Sequence, residues 1–480
     1  MVNFKSSGSK EETLKKILSS EPFVGVRKAV GELKKPAFIV GGYVRDFLLN
    51  RDCKDIDFVI EGDGLSFAQL SAQKLHLNRK AVNTFVNFGT AAFRYRDLEL
   101  EFVGARKESY NRNSRKPAVE EASISEDQLR RDFTINALAI DLREETLGEI
   151  VDPFNGLKHL EEKLIITPTN PDITFSDDPL RMMRAVRFAS QLNFKLHKSV
   201  FDAIVKNVNR IDIVSQERIT VELNKILLSP KPSIGFKLLF NTGLLQKVFP
   251  EMAKLHGVET KEGKTHKDNF YHTLEVIDNI CQDTDNLWLR WSALLHDIAK
   301  PKTKRFHEKQ GWTFHGHEDL GSKMVAPIFK RLRLPLDRKM KYVQKLVLLH
   351  LRPIALTKEE ATDSAIRRLL FDAGEDLEDL LTLCRADITS KNEGRVKRYL
   401  DNYKKVEEKL RMVEEKDRVR TWQPPISGEE IMAHFNIKPC KEVGIIKNAL
   451  KEAMLEGQID KTKESAWAFM LEKGKELGLT

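Results

Sequence analysis

The sequence predicts an α+β protein: a small mixed sheet with its helices near the N-terminus, followed by an all-α remainder. Two observations carry this expectation. Short apolar runs at Ala37–Val40, from Asp55 onward, at Ala91–Tyr95 with Leu98–Val103, and at Leu138–Leu142 have the length and alternation of strands. Beyond Phe175, apolar residues recur every three or four positions, the period of a helix. A chain of 480 residues exceeds one core. The expected division is a head at 1–160, a helical neck at 161–250, a helical domain at 251–390 and a helical tail at 391–480.

The net charge of +9 and pI near 9.1 favour a polyanionic partner such as nucleic acid. Cys53, Cys281, Cys384 and Cys440 lie far apart with no Cys-x-x-Cys, which argues against a disulfide framework or a zinc ribbon. No apolar leader opens the sequence and no apolar run reaches membrane-spanning length, so a cytoplasmic chain without a membrane partner is expected.

Ala37–Glu61 organises the head. A buried strand, Ala37–Val40, is cut by Gly41-Gly42, which permit a tight turn and close approach of a ligand. Tyr43–Asn50 reads as a short helix. The next strand opens Asp55-Ile56-Asp57, and alternation puts both aspartates on one face. Two adjacent carboxylates repel unless a cation lies between them, and Mg²⁺ suits an oxygen-only pair that shares its shell with substrate phosphates. The glycine turn and helix start offer N–H groups to the same phosphates. Together these parts describe a nucleotidyl-transfer site.

Gly64–Leu77 follows as an amphipathic helix, then a strand hairpin in which Glu99 and Glu101 share a face. A third carboxylate could thus reach the metal pair, the alternative being an exposed strand charge. Arg106–Glu126 is polar and reads as a mobile loop. Arg130-Arg131-Asp132-Phe133-Thr134-Ile135-Asn136-Ala137 precedes the last strand, and Val151–Gly156 reads as the turn closing the head. In Phe175–Phe194, Asp178 before Pro179 looks like an N-cap. Arg181, Arg184 and Arg187 spread over one side of the helix, opposite Met182, Val186 and Ala189. Three arginines beside a phosphate site are economically read as ligand contacts, and solvated charge is the alternative. Ser199–Leu245 reads as continuous helix with one break at Ser229–Pro232, and Lys254–Lys267 as a linker.

A further constellation comprises His272, the His296-Asp297 pair closing an apolar helix, and Asp387, with His315, His317 and His350 as additional candidate ligands. Imidazoles and carboxylates together bind a divalent transition metal able to activate water. Asn392–Arg420 reads as a charged, solvated helix. Ile426 opens a last helical unit running to about Ile459.

The ordered elements Gly41-Gly42-Tyr43-Val44-Arg45-Asp46, Asp55-Ile56-Asp57, Arg131-Asp132 and Asp177-Asp178-Pro179-Leu180-Arg181 resemble the polymerase-β-like nucleotidyltransferases. Within them, the similarity is to class II CCA tRNA nucleotidyltransferases and poly(A) polymerases. The His-Asp cluster resembles the HD metal-dependent phosphohydrolases. The resemblance implies a polymerase-β-like head followed by a neck, an HD domain and an RNA-binding tail. It implies Mg²⁺ on Asp55 and Asp57, with Glu101 as third carboxylate, and nucleotide contacts at Gly42, Arg45 and Arg131. It further implies Asp132 on the ribose 2′-hydroxyl, Asp178 and Arg181 on the base edge, and Arg184 and Arg187 on the triphosphate. In the HD region it implies a transition metal on His272, His296, Asp297 and Asp387. Asp177 stands where the family has Glu, and Lys438–Gly444 departs from the usual tail pattern. The implied function is addition of C, C and A from CTP and ATP to the 3′ end of tRNA, with an accessory HD phosphohydrolase activity. Two rivals stand beside it. One is a poly(A) polymerase or a partial, CC- or A-adding enzyme. The other is an HD phosphohydrolase with an RNA-binding N-terminal module, against which the paired Asp55 and Asp57 argue.

Overall fold

The computed structural model describes residues 8–85, 89–109, 118–356, 362–390, 392–417 and 424–479. The chain divides into two compact units, Met1–Pro250 and Glu251–Thr480.

In the first unit, α1 (Gly8–Leu18) and α2 (Phe23–Leu33) precede β1 (Ala37–Val40), α3 (Gly42–Leu48), β2 (Asp55–Ile60) and α4 (Gly64–Lys74). There follow β3 (Asn83–Phe85), β4 (Thr90–Tyr95), β5 (Leu98–Gly104), β6 (Arg106–Ser109), β7 (Ala118–Glu121), α5 (Ile124–Leu129), β8 (Ala139–Asp141) and β9 (Ile150–Val151). The main sheet is mixed, as expected, in the order β3-β4-β5-β2-β1-β8-β9. Within it β2 and β5 run parallel and the other pairs antiparallel. One face carries Phe58, Phe93 and Phe102, stacked at 5.0 Å between centroids, and Phe67 of α4 meets Phe102 edge-on at 5.1 Å. All four rings are buried. Each contributes about 1.5–3 kcal/mol by leaving water, so this face is pinned to α4. Alternation then turns Asp55 and Asp57 to the opposite, open face.

The expected mobile loop at 106–126 is ordered at both ends. β6 pairs antiparallel with β7. Ser123 and Glu126 form a reciprocal capping box that starts α5. Ser-x-x-Glu was the legible signal; residues 110–117 lie outside the described residues.

Helices α6 (Gly156–Glu161) and α7 (Pro171–Asp177) lead to α8 (Leu180–Leu192), with a short parallel pair, β10 (Leu164–Ile165) and β11 (Lys195–Leu196), beside them. Met182, Val186 and Ala189 of α8 are buried as the pattern requires. Asp178 accepts the Leu180 N–H at 3.2 Å, so it does cap α8, whereas Phe175–Asp177 belong to α7. The neck is not one helix with one break. It comprises α9 (Lys198–Asn207), a 3₁₀ turn at Val208–Ile213, α10 (Gln216–Leu227), α11 (Pro232–Asn241), α12 (Leu244–Val248) and α13 (Pro250–Ala253), the last crossing the boundary between the units. Isoleucine and valine at 211, 213 and 214 kept the apolar period running through the 3₁₀ turn and concealed the stop.

In the second unit the expected linker contains a hairpin, β12 (Thr260–Lys261) with β13 (Lys264–Thr265). The helices are α14 (Asn269–Ile280), α15 (Leu287–Leu295), α16 (Lys300–Thr303), α17 (His317–Arg331), α18 (Arg338–Leu349), α19 (Leu351–Ala355), α20 (Asp363–Ala373) and α21 (Leu377–Asp387). A second hairpin, β14 (Arg305–His307) with β15 (Gly311–Thr313), separates α16 from α17. The charged helix, α22 (Glu393–Asp417), is not merely solvated. Tyr403, Val406, Leu410 and Val413 form a buried stripe along it, and the Tyr403 hydroxyl donates to the Leu381 carbonyl at 3.1 Å. The end of that segment, 418–420, lies outside the described residues. The tail continues past Ile459. Ala466 and Met470 of α25 (Lys463–Glu476) complete a core with Ile431 and Phe435 of α23 (Gly428–Phe435) and Ile446 and Leu450 of α24 (Lys441–Glu456).

Candidate active site and candidate metal centre

In the first unit, an open cavity of about 940 Å³ gathers every residue proposed from the sequence for the head. The register explains one end of it. Asp55 pairs with Glu99 and Asp57 with Glu101 across β2 and β5, so four carboxylates stand in a square on the open face. Burial pushes the Asp57 carboxyl up, Asp55 adds to the rise and Arg131 opposes it. Glu101 is also raised, by burial and then by Asp57. Oxygen-only donors whose charges raise one another's proton affinity suit a hard divalent cation.

Gly41 is the glycine this corner requires. Its φ of 75° and ψ of −131° lie where L side chains rarely go. An added Cβ would lie 3.1 Å from Arg131 Nη1 and 3.3 Å from Asp57 Oδ2. Gly42 differs: a Cβ there would meet only Arg45 Nη2, at 3.8 Å.

Guanidinium groups line the other end of the cavity. Arg45 donates to both oxygens of Asp46 and, at 2.7 Å, to Asn136 Oδ1. Arg131 is bonded through Nε and Nη2 to the fully buried Asp127, which also anchors Arg130. Arg181 donates to the Arg130 carbonyl at 2.7 Å. Asp132 accepts from Asn136 Nδ2 at 3.0 Å, from the Phe133 N–H at 2.9 Å and from Arg184 Nε at 2.7 Å. Burial alone would raise Asp132, but Arg184, Asn136 and Arg181 outweigh it and bring the carboxyl down to about 2. Arg187 is buried and paired with Glu222 of α10 at 2.8 Å. Burial exceeds the help from Glu222 and lowers Arg187 to about 10. Arg45, Arg184 and Arg187 all approach the ring of Phe188, at 4.9, 5.3 and 4.0 Å. Asp178 lies 3.6 Å from Arg218 of α10.

Asn136, Asp127, Glu222 and Phe188 thus hold the site together, and sequence reasoning assigned none of them. Asn136 stood inside a quoted motif. Asp127 and Glu222 look like ordinary helix charges until the fold buries them.

In the second unit, His272 of α14, His296 and Asp297 in the turn after α15, and Asp387 at the end of α21 converge. His272 Nε2 lies 2.9 Å from Asp387 Oδ1, and His296 Nε2 lies 3.2 Å from Asp297 Oδ2 and 3.4 Å from Asp387. His317 and His350 join them, with His317 Nε2 3.3 Å from Asp297 Oδ1 and 3.4 Å from His350 Nε2. His315 is exposed and outside the cluster. His296, His317 and His350 each direct Nδ1 at the backbone carbonyl three residues earlier, at 2.7 Å. Nδ1–H donation to a carbonyl turns each Nε2 inward, the orientation in which an imidazole can ligate a metal. Among the described residues, His272, His296 and Asp297 form one group of three potential ligand atoms within 4.8 Å, and Asp297, His317 and His350 another. His296 Nε2 and Asp297 Oδ1 are buried without a hydrogen-bond partner. Burial disfavours charge on His296, yet Asp297 and Asp387 raise it to about 10; burial and the His296 charge lower His350 to about 4. This nitrogen-and-oxygen donor set, with orphaned buried atoms at its centre, fits a divalent transition metal. Lys300 Nζ lies 2.6 Å from Asp297, and Lys267 Nζ lies 3.0 Å from His272 Nδ1.

Residues 37–166 match the poly(A) polymerase head domain, 193–255 the probable RNA- and SrmB-binding site of polymerase A, and 269–392 the HD domain. The chain is 31% identical over 372 residues to the A-adding tRNA nucleotidyltransferase of Aquifex aeolicus, covering 72% of this chain and 44% of that longer protein. It is 31% identical over 455 residues to the CC-adding tRNA nucleotidyltransferase of Thermus thermophilus, covering 91% and 93%. In fold it resembles the Bacillus stearothermophilus CCA-adding enzyme in complex with CTP, with TM-score 0.66, 24% identity, and coverage of 96% and 99%. No described helix is long and apolar enough to cross a membrane.

Proposed function

Because the chain belongs to the tRNA nucleotidyltransferase family that carries a poly(A) polymerase head domain, we propose that it adds C, C and A in turn to the 3′ end of tRNA from CTP and ATP, releasing pyrophosphate. One observation carries this reading: a single cavity has carboxylates at one end and guanidiniums at the other. That polarity suits a nucleoside triphosphate whose α-phosphorus lies by the acids and whose β- and γ-phosphates point to the arginines.

Asp55 and Asp57 would hold Mg²⁺, which when bound supplies charge neutralisation at the reacting phosphate and a more acidic attacking hydroxyl. Glu101, raised beside Asp57, would serve as the third carboxylate. The RNA 3′-oxygen forms the new bond to the α-phosphorus and the bond to pyrophosphate breaks. Arg131, kept in place by Asp127, takes leaving-group charge, and Arg45, braced by Asp46 and Asn136, lies across the helix start at Gly42. Asp132 is ionised far below neutrality, so it is available to accept from a ribose 2′-hydroxyl. A deoxynucleotide would forgo that bond. Arg184 holds Asp132 as well as facing the phosphates, while Arg187, committed to Glu222, contributes positive field at the wall. Asp178 as acceptor and Arg181 as donor would read the base edge.

The deciding experiment incubates the purified chain with tRNA lacking its terminal nucleotides, with CTP, ATP, GTP and UTP singly and with CTP plus ATP. Sequential C, C and A incorporation is expected. Addition of C alone or A alone under every condition would make this a partial adder, and long A tracts a poly(A) polymerase. No incorporation on this acceptor or on tRNA already ending in CC would refute nucleotidyl transfer.

The histidine cluster supports an accessory phosphohydrolase acting on phosphate esters at RNA ends. His272, His296, Asp297 and Asp387 would hold the metal, which when bound activates water, and Lys267 and Lys300 would meet phosphate oxygens.

A further inference from the structure

We infer that the open sheet face beyond Asp55 is the seat of the acceptor's single-stranded 3′ end, an inference that rests on the nucleotidyl-transfer reading above. Strand register defines this face. Asp55 pairs with Glu99, and Glu99 with Arg94; Asp57 pairs with Glu101, Glu101 with Ala92, and Ala92 with Asn83. Paired residues project to the same side and alternate residues share it. The face bearing the carboxylates therefore runs across β5 and β4 to β3, the outermost strand, where Asn83 and Phe85 lie on it.

Asp55, Glu99, Arg94, Asn83 and Phe85 are all exposed, Phe85 by 52% of its surface. A second cavity, of about 430 Å³, is lined by Lys54, Asn83, Ala92, Arg94 and Asp97 and shares Asp55 and Glu99 with the first. The small Ala92 side chain leaves its floor open. Lys54 is 3.5 Å from Asp97, but both are solvated, so that pair yields readily to a phosphate.

Chemistry identifies the occupant. In-line displacement brings the attacking oxygen to the α-phosphorus from the side opposite the departing pyrophosphate. The pyrophosphate leaves toward the arginines, so the hydroxyl arrives over Asp55 from the far side. An exposed aromatic ring, two cations and an amide beside that route are the parts that hold single-stranded RNA: a base stacks on Phe85, and Arg94 and Lys54 take its phosphates.

The test uses the full chain and an acceptor RNA with 4-thiouridine next to its 3′ end. Photocrosslinks should map to Asn83–Phe85 and Thr90–Arg94, and crosslinks confined to other parts of the chain would overturn the inference. In steady state, Phe85→Ala and Arg94→Ala should each raise the acceptor KM about tenfold, within the range for losing one base–aromatic stack or phosphate contact. The nucleotide KM should hold, and Phe85→Tyr should behave as the parent. An unchanged acceptor KM, or equal rises for acceptor and nucleotide, would refute the seat. Should the parent chain extend no RNA at all, the function reading fails, and the crosslink map alone still decides whether RNA lies on this face.

Discussion

Gly41→Ala and Gly42→Ala should have opposite consequences although the residues are neighbours. At Gly41 the backbone sits at φ 75° and ψ −131°, a conformation that costs an L residue on the order of 1–3 kcal/mol. The new methyl would also press on Arg131 Nη1 at 3.1 Å and Asp57 Oδ2 at 3.3 Å, both closer than an ordinary carbon contact. A loss of about 2 kcal/mol corresponds to roughly thirtyfold faster opening of β1 and β2, at 1.36 kcal/mol per factor of ten. Gly42 lies outside the positive-φ region and its nearest neighbour is 3.8 Å away. Alanine there leaves the fold intact, gaining up to about 1 kcal/mol of helix propensity, but intrudes on the cavity and raises the nucleotide KM. Native-state hydrogen exchange read on peptides spanning residues 37–60 measures the first effect. All five tryptophans lie between 288 and 467, so unfolding followed by their fluorescence reports the second unit and should not change in either variant. Equal exchange of residues 37–60 in the two variants would refute the reasoning.

The chain's acid sensitivity should include a share from Asp132. Its folded-state carboxyl sits at about 2 against 3.8 ordinarily. Its contribution of about 2 kcal/mol is therefore complete above pH 4 and disappears as the pH falls through 4 toward 2. Urea unfolding of the first unit across that window, compared with Asp132→Asn, should show the difference shrink to nothing; a constant offset would contradict it. Replacing Asp178 and Arg181 together with neutral residues should admit UTP or GTP with a milder loss of rate than at the metal carboxylates, each broken base-edge bond costing about 1–3 kcal/mol. Strict selectivity in that variant would leave Asp178 as the cap of α8 and Arg181 as a brace on the Arg130 carbonyl. Asp297→Ala should abolish uptake of Ni²⁺, Co²⁺ or Mn²⁺, measured as bound metal per chain, along with hydrolysis of terminal phosphates. Nucleotide addition should persist, since the two clusters belong to different compact units; loss of both activities in a folded variant would contradict that separation.

What the sequence determined by itself was local chemistry with a period. The Asp-x-Asp strand, the glycine turn and the arginine side of α8 follow from alternation and helical spacing, both properties of a few consecutive residues. The His296-Asp297 pair was legible because a polar pair closing an apolar helix is conspicuous against its background, and His272 and Asp387 joined it through the resemblance to the HD phosphohydrolases. Tertiary structure decided which charges are spent on one another. Arg187 looked free until α10 brought Glu222 to it, and Asp127 looked like surface acid until burial tied it to Arg130 and Arg131. It brought His317 and His350 into the candidate metal-binding cluster and left His315 outside, although His315 and His317 are two residues apart. It also buried a stripe of α22 whose composition reads as solvated. For Arg187, the histidines and α22 the decisive quantity is the distance between residues tens of positions apart, set by how helices and strands pack, which no local periodicity encodes; Asp127 lies three and four positions from its arginines, and there the fold added the burial.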